Sequence, residues 1–219
     1  MARIFIIGAT GGVGNRLCKR LTQAGHDVTG LHRKPEQADH LSALGVTPIE
    51  GDIMTLTAHD LEPMLEAHDV VVFSAGAAGS GMERTARIDG EGPREVAEAM
   101  QRAGVSRFYL VSAFPEAGRG REPNPGFENY MLAKKEADAF VARSALDWVI
   151  LRPGTLTDEE GNDQITAGYA LSYGSVSRDH VAQTLAALID MPQIKREIIE
   201  LTDGNTRVSD ALDALRRDL

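Results

Sequence analysis

Short apolar runs alternate with longer stretches of helical character along the chain. Each run has the length of a buried strand, and several contain no polar residue, as expected when helices cover both faces of a parallel sheet. The predicted strands are Ile4–Ile7, Val28–Leu31, Val46–Ile49, Val70–Phe73, Phe108–Val111, Trp148–Leu151 and Ile198–Leu201.

Glycine and proline mark the ends of the helical stretches between these runs. Pro35 suits a first helical turn, Gly25 and Gly45 suit helix ends, and Ser177 is a candidate N-cap. Gly90, Gly92 and Pro93 interrupt the longest stretch, so its first half is the weakest helix prediction. The predicted helices are Val13–Ala24, Pro35–Leu44, Leu61–Ala67, Glu83–Ala103, Phe127–Ala145, Ser177–Met191 and Ser209–Asp218.

This alternation predicts an α/β fold, a Rossmann-type doubly wound parallel sheet with right-handed crossovers. We expect one domain over residues 1–219, with a cofactor core at 1–152 and a small C-terminal substrate-side segment at 153–219. The expected strand order is 3-2-1-4-5-6, with Ile198–Leu201 added as a further strand. Ligands of such sheets bind beyond the carboxyl ends of the strands, so site residues should directly follow the apolar runs.

Composition narrows the function classes. The 219 residues carry a formal net charge of -9 and only 5% aromatics, which disfavours general binding of nucleic acid. The single cysteine, Cys18, excludes an internal disulfide and a cysteine-cluster metal site. The first apolar run is too short for a signal peptide or a membrane span, so we expect a cytoplasmic protein that binds no membrane. Oligomeric state stays open.

The first predicted strand ends in a glycine-rich turn that opens the first helix. Glycines let the backbone approach a phosphate closely, and the helix start supplies unpaired N–H groups. The spacing is G-x-x-G-x-x-G, with Thr10 in the slot that glycine takes in G-x-G-x-x-G. An ordinary glycine-rich turn is the alternative, but the strand–helix context favours dinucleotide binding. The predicted contacts are Gly8, Thr10, Gly11, Gly12, Val13 and Gly14.

The end of the second strand indicates which dinucleotide is bound. An acid there would bind the ribose 2′-hydroxyl of NAD, but the chain has His32-Arg33-Lys34 instead. Arg33 suits a bidentate contact with a 2′-phosphate, and His32 or Lys34 would add charge. We therefore expect NADP rather than NAD, and a merely solvated basic turn is the alternative.

Two further strand ends suit the same ligand. Asp52 and Ile53 follow the third strand, and Asp52 would accept from the adenine amino group. Small residues follow the fourth strand and would let ribose and phosphate lie against the backbone; they are Ser74, Ala75 and Gly76. Each signal alone is weak, because such residues are common in ordinary turns.

Tyr130 and Lys134 lie four residues apart in a predicted helix, so both side chains leave the same face. Ser112 directly follows the fifth strand, at the edge where ligands bind. A phenol has a pKa of about 10, and a neighbouring ammonium is expected to lower it toward the range of a useful acid or base.

Together these residues resemble the short-chain dehydrogenase/reductase superfamily, in its atypical, compact NAD(P)-binding branch related to extended epimerase-type members. The resemblance covers essentially the whole chain. Besides the glycine turn, its marks are Gly51-Asp52, Ser74-Ala75-Gly76, Leu110-Val111-Ser112, Tyr130-Met131-Leu132-Ala133-Lys134, Leu151-Arg152-Pro153-Gly154 and Ser177-Arg178-Asp179-His180-Val181-Ala182.

The resemblance implies a role for each site residue. Tyr130 is the implied acid/base, Lys134 tunes it and binds the nicotinamide ribose, and Ser112 orients the substrate oxygen. Asp89 stands where well-studied members carry Asn and would hold the lysine side of the site. Pro153 and Gly154 would lie against the nicotinamide.

The substrate side has two predicted walls. One is the loop after Ser112, with three prolines and three glycines before the next helix, in which Arg119 and Arg121 either attract an anionic substrate or are simply solvated. The other is Thr155–Val176, too short for the large C-terminal region that nucleotide-sugar enzymes of the superfamily use. We expect a small or planar substrate.

We therefore expect an NADP-dependent oxidoreductase acting on a carbonyl or alcohol. The alternatives are a non-catalytic NADP-binding redox sensor, a flavin, quinone or tetrapyrrole reductase, and a sugar epimerase/dehydratase-like enzyme.

Overall fold

A computed structural model describes residues 1–115, 117–118, 122 and 124–216. Arg119 and Arg121, and with them the predicted anion-attracting part of the loop after Ser112, lie outside the described residues. The strands are β1 (Arg3–Ile7), β2 (Asp27–His32), β3 (Thr47–Glu50), β4 (Val70–Phe73), β5 (Arg107–Val111), β6 (Asp147–Pro153), β7 (Thr155–Thr157), β8 (Gln164–Gly168), β9 (Ser175–Ser177), β10 (Glu197–Asp203) and β11 (Thr206–Arg207).

Within the described chain the main sheet has the order β11-β8-β10-β6-β5-β4-β1-β2-β3. The seven strands β3, β2, β1, β4, β5, β6 and β10 pair with their neighbours in parallel. The predicted order 3-2-1-4-5-6 and the added strand at Ile198–Leu201 are therefore confirmed. This topology brings the carboxyl ends of β1, β2, β4, β5 and β6 to one edge of the sheet, where the candidate site lies.

The sequence pattern does not reveal the strands of the 153–219 segment other than β10. β8 joins β10 antiparallel, β11 joins β8 antiparallel, and β7 pairs with β9 in a separate two-stranded sheet. β8 has only Ile165 fully buried, and β11 is exposed throughout, so neither forms an apolar run. Tertiary pairing, rather than local pattern, therefore determines these strands.

The helices are α1 (Gly12–Gln23), α2 (Pro35–Ala43), α3 (Ala58–Leu65), α4 (Met82–Arg84), α5 (Gly92–Ala103), α6 (Pro125–Arg143), α7 (Arg178–Asp190) and α8 (Val208–Asp213). Ser177 caps α7 as predicted, since its side chain accepts a hydrogen bond from the His180 N–H. The last helix was predicted over Ser209–Asp218, but α8 ends at Asp213. Residues 217–219 lie outside the described residues.

The predicted long helix Glu83–Ala103 is helical throughout, but it is not a regular α-helix. Between α4 and α5 the residues Thr85–Glu91 form a π-helical segment, and α5 restarts with Pro93 in its first turn. Pro93 has no N–H to donate, so the hydrogen-bond ladder must break before it. The wider π turn contains Asp89, which is fully buried and belongs to the candidate site described below.

The core lies on both faces of the sheet because alternate strand residues point to opposite sides. In β1, Ile4 and Ile6 pack with α1 and α7, whereas Phe5 and Ile7 belong to the cluster that includes α3 and α5. Trp148 is buried in the second cluster, as predicted from its apolar run.

No helix in the described part of the chain is both long and apolar enough to cross a bilayer.

Candidate cofactor and active site

The glycine turn after β1 is packed too tightly for side chains. Gly8 has φ +89°, and a Cβ there would lie 2.5 Å from Ala75 N. A Cβ on Gly14 would lie 2.1 Å from Gly8 O, so the first turn of α1 packs directly on the strand end. Gly11 caps α1 without any side-chain hydrogen bond, which leaves the first helical N–H groups available to an anion. This cradle fits a dinucleotide phosphate.

A cleft of about 280 Å³ opens beside this turn. It brings together residues from the ends of β1 to β4, as the sheet-edge rule predicts. The predicted cofactor residues that line it are Gly8, Thr10, Gly11, His32, Arg33, Asp52, Ile53, Ser74, Ala75 and Gly76. The predicted cofactor residues outside its lining are Gly12, Val13, Gly14, Lys34, Asp89, Pro153 and Gly154.

The lining also contains Ile7, Leu31 and Gly51 at the strand ends, and three residues away from the strand ends that were missed from the sequence: Gln37, Arg84 and Ile88. Gln37 had a local signal, because it stands at the third position of a helix that begins with Pro35. Arg84 and Ile88 had none, because their place depends on how the chain after Gly76 folds back. That chain contains Ala78 and two glycines in left-handed conformations, and Arg84 Nε donates to Ser80 Oγ at 2.9 Å.

The basic end of the cleft is formed at the end of β2. Arg33 is exposed and forms no ion pair with a described residue. Lys34 points away from the lining, with its Nζ 3.8 Å from Glu36. His32 is buried, and its Nδ1 lies 3.1 Å from Lys34 O, so it supports the turn. Of the three, Arg33 is the cation best placed to meet a ligand.

Asp52 lines the cleft and also stabilises the turn that contains it. Its Oδ1 accepts a hydrogen bond from Met54 N at 3.0 Å, the usual arrangement for an aspartate after a strand. Its predicted contact with the adenine amino group therefore stays a prediction.

Gly12 lies under two arginines from different parts of the chain. A Cβ at this position would be 2.6 Å from Arg178 Cδ, and Arg16 Nη1 donates to Gly12 O at 2.7 Å. Asp158 joins the two guanidinium groups, at 3.1 Å from Arg178 and 3.4 Å from Arg16. The absence of a side chain at Gly12 thus makes room for Arg178, and places the 153–219 segment against the glycine turn.

Lys134 and Asp89 form a buried ion pair at the carboxyl edge of β5. Lys134 Nζ lies 3.0 Å from Asp89 Oδ1 and donates to Val111 O at 3.2 Å. Asp89 Oδ2 accepts from Ala77 N at 3.0 Å. Burial alone would lower the pKa of Lys134, but Asp89, Tyr130 and Asp138 raise it above its usual value, so the lysine is charged.

Tyr130 lies one helical turn before Lys134, whose Nζ is 5.8 Å from the centre of the tyrosine ring. The Lys134 ammonium does lower the pKa of this phenol, as expected, but the net pKa is raised because burial outweighs the lysine. Burial raises the pKa of Tyr130, Lys134 opposes that rise, and the carboxylates of Asp89 and Asp138 add to it. Burial is the main reason why the phenol is held in its protonated form, and Asp89 adds to it by offsetting part of the charge of Lys134.

Ser112 is buried beside a second charged pair that sequence reasoning missed. Arg152 Nη2 lies 2.8 Å from Asp138 Oδ2, and burial raises the pKa of Asp138 while Ser112 and Arg152 oppose the rise. Ser112 Oγ makes no hydrogen bond of regular geometry within the described chain. Asp138 was predictable, because it stands four residues after Lys134 and eight after Tyr130 on one helix face.

The cleft and the Tyr130–Lys134 pair adjoin at Gly76. A Cβ on Gly76 would be 3.3 Å from Asp89 Oδ1, and Ile88, next to Asp89, lines the cleft. Gly154 packs against the backbone, with a would-be Cβ 2.1 Å from Gly174 O. Contact of Pro153 and Gly154 with a nicotinamide stays a prediction.

The segment Thr155–Val176, which was predicted to form the second wall of the substrate site, contacts the chain just after β5. Phe114, two residues after Ser112, meets the ring of Tyr173 edge-on at 5.5 Å between centroids. The Tyr173 hydroxyl lies 2.5 Å from Thr155 Oγ1. Tyr173, on the segment expected to contact the substrate, thus packs against the residue two positions beyond Ser112.

Comparison with known proteins shows the same scaffold. The chain is 32% identical to the uncharacterized sugar epimerase YhfK of Bacillus subtilis, over 97% of this chain and 100% of that protein. A putative NAD-dependent epimerase/dehydratase from Bacillus halodurans superposes with a TM-score of 0.88 at 28% identity, over 98% and 100% of the two chains. The oxidoreductase ylbE from Lactococcus lactis superposes with a TM-score of 0.86 at 27% identity, over 97% and 96%.

The profile of the family described as NAD(P)H-binding matches residues 8–192. That span begins at Gly8 and includes the glycine turn, the Tyr130–Lys134 pair and the whole of α7. The chain therefore belongs to the NAD(P)H-binding family, among Rossmann-fold proteins of the short-chain dehydrogenase/reductase and epimerase type.

Proposed function

We propose that this protein is an NADP-dependent oxidoreductase that reduces a carbonyl group of a small substrate to an alcohol. The observation that carries the proposal is the position of Tyr130 above the buried Lys134–Asp89 pair, at the sheet edge that adjoins the dinucleotide cleft. Ser112, on the neighbouring strand end, supplies a second hydroxyl. The arrangement offers a proton donor and a second hydrogen bond at one edge.

The nicotinamide, when bound, supplies the hydride for such a reduction. Negative charge then develops on the substrate oxygen, and the Tyr130 hydroxyl donates its proton to that oxygen. The Lys134 ammonium stabilises the phenolate left on Tyr130, and in this proposal Ser112 donates a second hydrogen bond to the substrate oxygen. The raised pKa of Tyr130 keeps the phenol protonated, which is the form that reduction needs.

Arg33 supports NADP as the cofactor. It is an exposed guanidinium on the cleft wall, where an acid would repel a 2′-phosphate. The proposed substrate is small and has a planar or apolar face, because Phe114 and Tyr173 pack together near the end of β5. Names of relatives add the oxidoreductase and the epimerase/dehydratase classes to the reactions worth assaying.

The decisive experiment replaces Tyr130 by Phe and measures NADPH consumption with aldehydes, ketones, quinones, flavins and tetrapyrroles as acceptors. Loss of one positioned acid should lower kcat by about 100- to 10,000-fold, while the Kd for NADPH stays within about twofold. The Kd for NADPH, measured on the same variant, is the internal control, because it shows that the cofactor site is still folded. Normal turnover by the Tyr130 variant would refute its role. Tight NADPH binding without consumption of any acceptor would favour the redox-sensor alternative.

A further inference from the structure

Gln37 connects the two loops that form the basic end of the cleft. Its Oε1 accepts hydrogen bonds from Arg33 N at 3.2 Å and Lys34 N at 3.1 Å. Its Nε2 donates to Thr10 Oγ1 at 3.3 Å. Gln37 and Thr10 both line the cleft, so one half-buried amide joins the turn after β2 to the glycine turn after β1.

The direction of these hydrogen bonds is fixed by chemistry. Two backbone N–H groups can only be met by the amide oxygen of Gln37, so the NH₂ group must face Thr10. The Thr10 hydroxyl therefore accepts from Gln37, and its own proton is left to donate elsewhere. No described residue accepts that proton or the second amide proton of Gln37.

This part of the cleft thus offers donors to a ligand. The Thr10 hydroxyl, the remaining Gln37 N–H and the Arg33 guanidinium all donate. Of the carboxylates, Glu36 lies 3.8 Å from Lys34 Nζ, and Asp52, which lines the cleft, accepts a hydrogen bond from Met54 N. A phosphate monoester has only acceptor oxygens when ionised, whereas a ribose hydroxyl both donates and accepts. A set of donors therefore discriminates in favour of the phosphate.

We infer that Gln37 is a specificity-determining residue for the ribose 2′-phosphate, acting through its own amide and by orienting the Thr10 hydroxyl. This inference rests on the NADP preference proposed above and extends it from the exposed Arg33 to a residue that holds the site together. This role would explain why the first turn of α2 has the neutral Gln37, at a position where the helix dipole favours an acidic residue.

The test is Gln37→Glu. A carboxylate of the same shape still accepts from Arg33 N and Lys34 N, so the turn and the start of α2 keep their hydrogen bonds. It would also accept the Thr10 proton, which reverses that hydrogen bond, and its charge repels a phosphate. We expect the Kd for NADPH to rise about 10- to 100-fold and the Kd for NADH to change less than about threefold. Fluorescence titration of the purified full chain measures both without a substrate.

Gln101→Glu is the control, because it makes the same chemical change on the exposed surface of α5. Thr10→Val tests the orientation step: it removes the hydroxyl that Gln37 orients and should weaken NADPH more than NADH. If Gln37 acts partly through Thr10, the variant with both Gln37→Glu and Thr10→Val should raise the Kd for NADPH by less than the product of the two single fold-changes.

The outcomes separate the two proposals. If the unaltered protein binds NADPH no tighter than NADH, both the NADP preference and the role of Gln37 are wrong, while the Tyr130 experiment still stands. If it prefers NADPH and Gln37→Glu leaves that preference unchanged, the role of Gln37 alone is wrong. Equal weakening of both dinucleotides would also overturn it, because the residue would then serve the loops and not the 2′-phosphate.

Discussion

The Lys134 ammonium and the Asp89 carboxylate are paired at 3.0 Å with both side chains almost wholly excluded from solvent. This relationship sets the charge around Tyr130. The lysine would favour the phenolate, but its buried partner cancels much of that effect and directly raises the pKa of Tyr130. Burial is the largest cause of the raised pKa, and together with the two carboxylates it outweighs Lys134, so Tyr130 is held as a proton donor rather than a base.

Asp89→Asn should move the titration of Tyr130 to lower pH. Removing the carboxylate charge lowers the pKa of the phenol, because Asp89 is one of the groups that raise it. Reduction needs the protonated phenol, so the alkaline fall of kcat should shift to lower pH. A pH–rate profile measures the shift, and Asp210→Asn on exposed α8 is the control. An unchanged alkaline limb would show that Tyr130 is not the titrating donor.

Gly14 and Gly25 offer a matched pair for the glycine turn. A Cβ on Gly14 would meet Gly8 O at 2.1 Å, so Gly14→Ala should cost about 3 kcal/mol of unfolding free energy and abolish dinucleotide binding. Gly25 has φ +84° but no neighbour within 4 Å. Gly25→Ala should cost about 1 kcal/mol of backbone strain and leave binding intact. Urea unfolding and NADPH titration test both, and equal effects would contradict the close approach at Gly14.

The fold was largely predictable because each core strand is a run of apolar residues, as in Val70–Phe73 of β4. Local pattern failed where another part of the chain determines the structure. β8 pairs with β10 without an apolar run of its own, and the π segment at Asp89 forms because a buried carboxylate and Pro93 override helix periodicity.

The candidate site divides in the same way. Gly8 and Arg33 follow strands, so the sheet-edge rule found them. Arg84 lines the cleft only because the chain after Gly76 turns back through left-handed residues. The direction of the Tyr130 pKa shift could not be derived from the spacing to Lys134, because it depends first on burial in the folded chain and then on Asp89, a residue 41 positions earlier.

Cys18 should be inert in the folded protein. It is fully buried in α1, and burial raises its pKa to about 12, so almost no thiolate exists near neutral pH. Iodoacetamide at pH 8 should leave the native chain unmodified and alkylate it once in urea, as read by intact mass. Rapid native labelling would show that α1 opens locally, and NADPH should then slow it, since ligand binding at the helix start stabilises the closed state.

Arg152 and Asp138 provide the sharpest test of the buried charges behind Ser112. Arg152→Met leaves the Asp138 carboxylate buried without its cation, which should cost about 3–5 kcal/mol at pH 7.5. Burial already raises the pKa of Asp138, and losing Arg152 raises it further, because Arg152 opposes that rise. The folded state then holds a proton at a pH where the unfolded chain has released it, so stability falls as pH rises from the unfolded pKa, about 4, to the folded pKa.

The cost of Arg152→Met should therefore be smaller at pH 5 than at pH 7.5, as measured by urea unfolding. Adding Asp138→Asn removes the titrating group and should abolish this pH dependence. A cost that is the same at both pH values would mean that Arg152 contributes through packing and not through its charge.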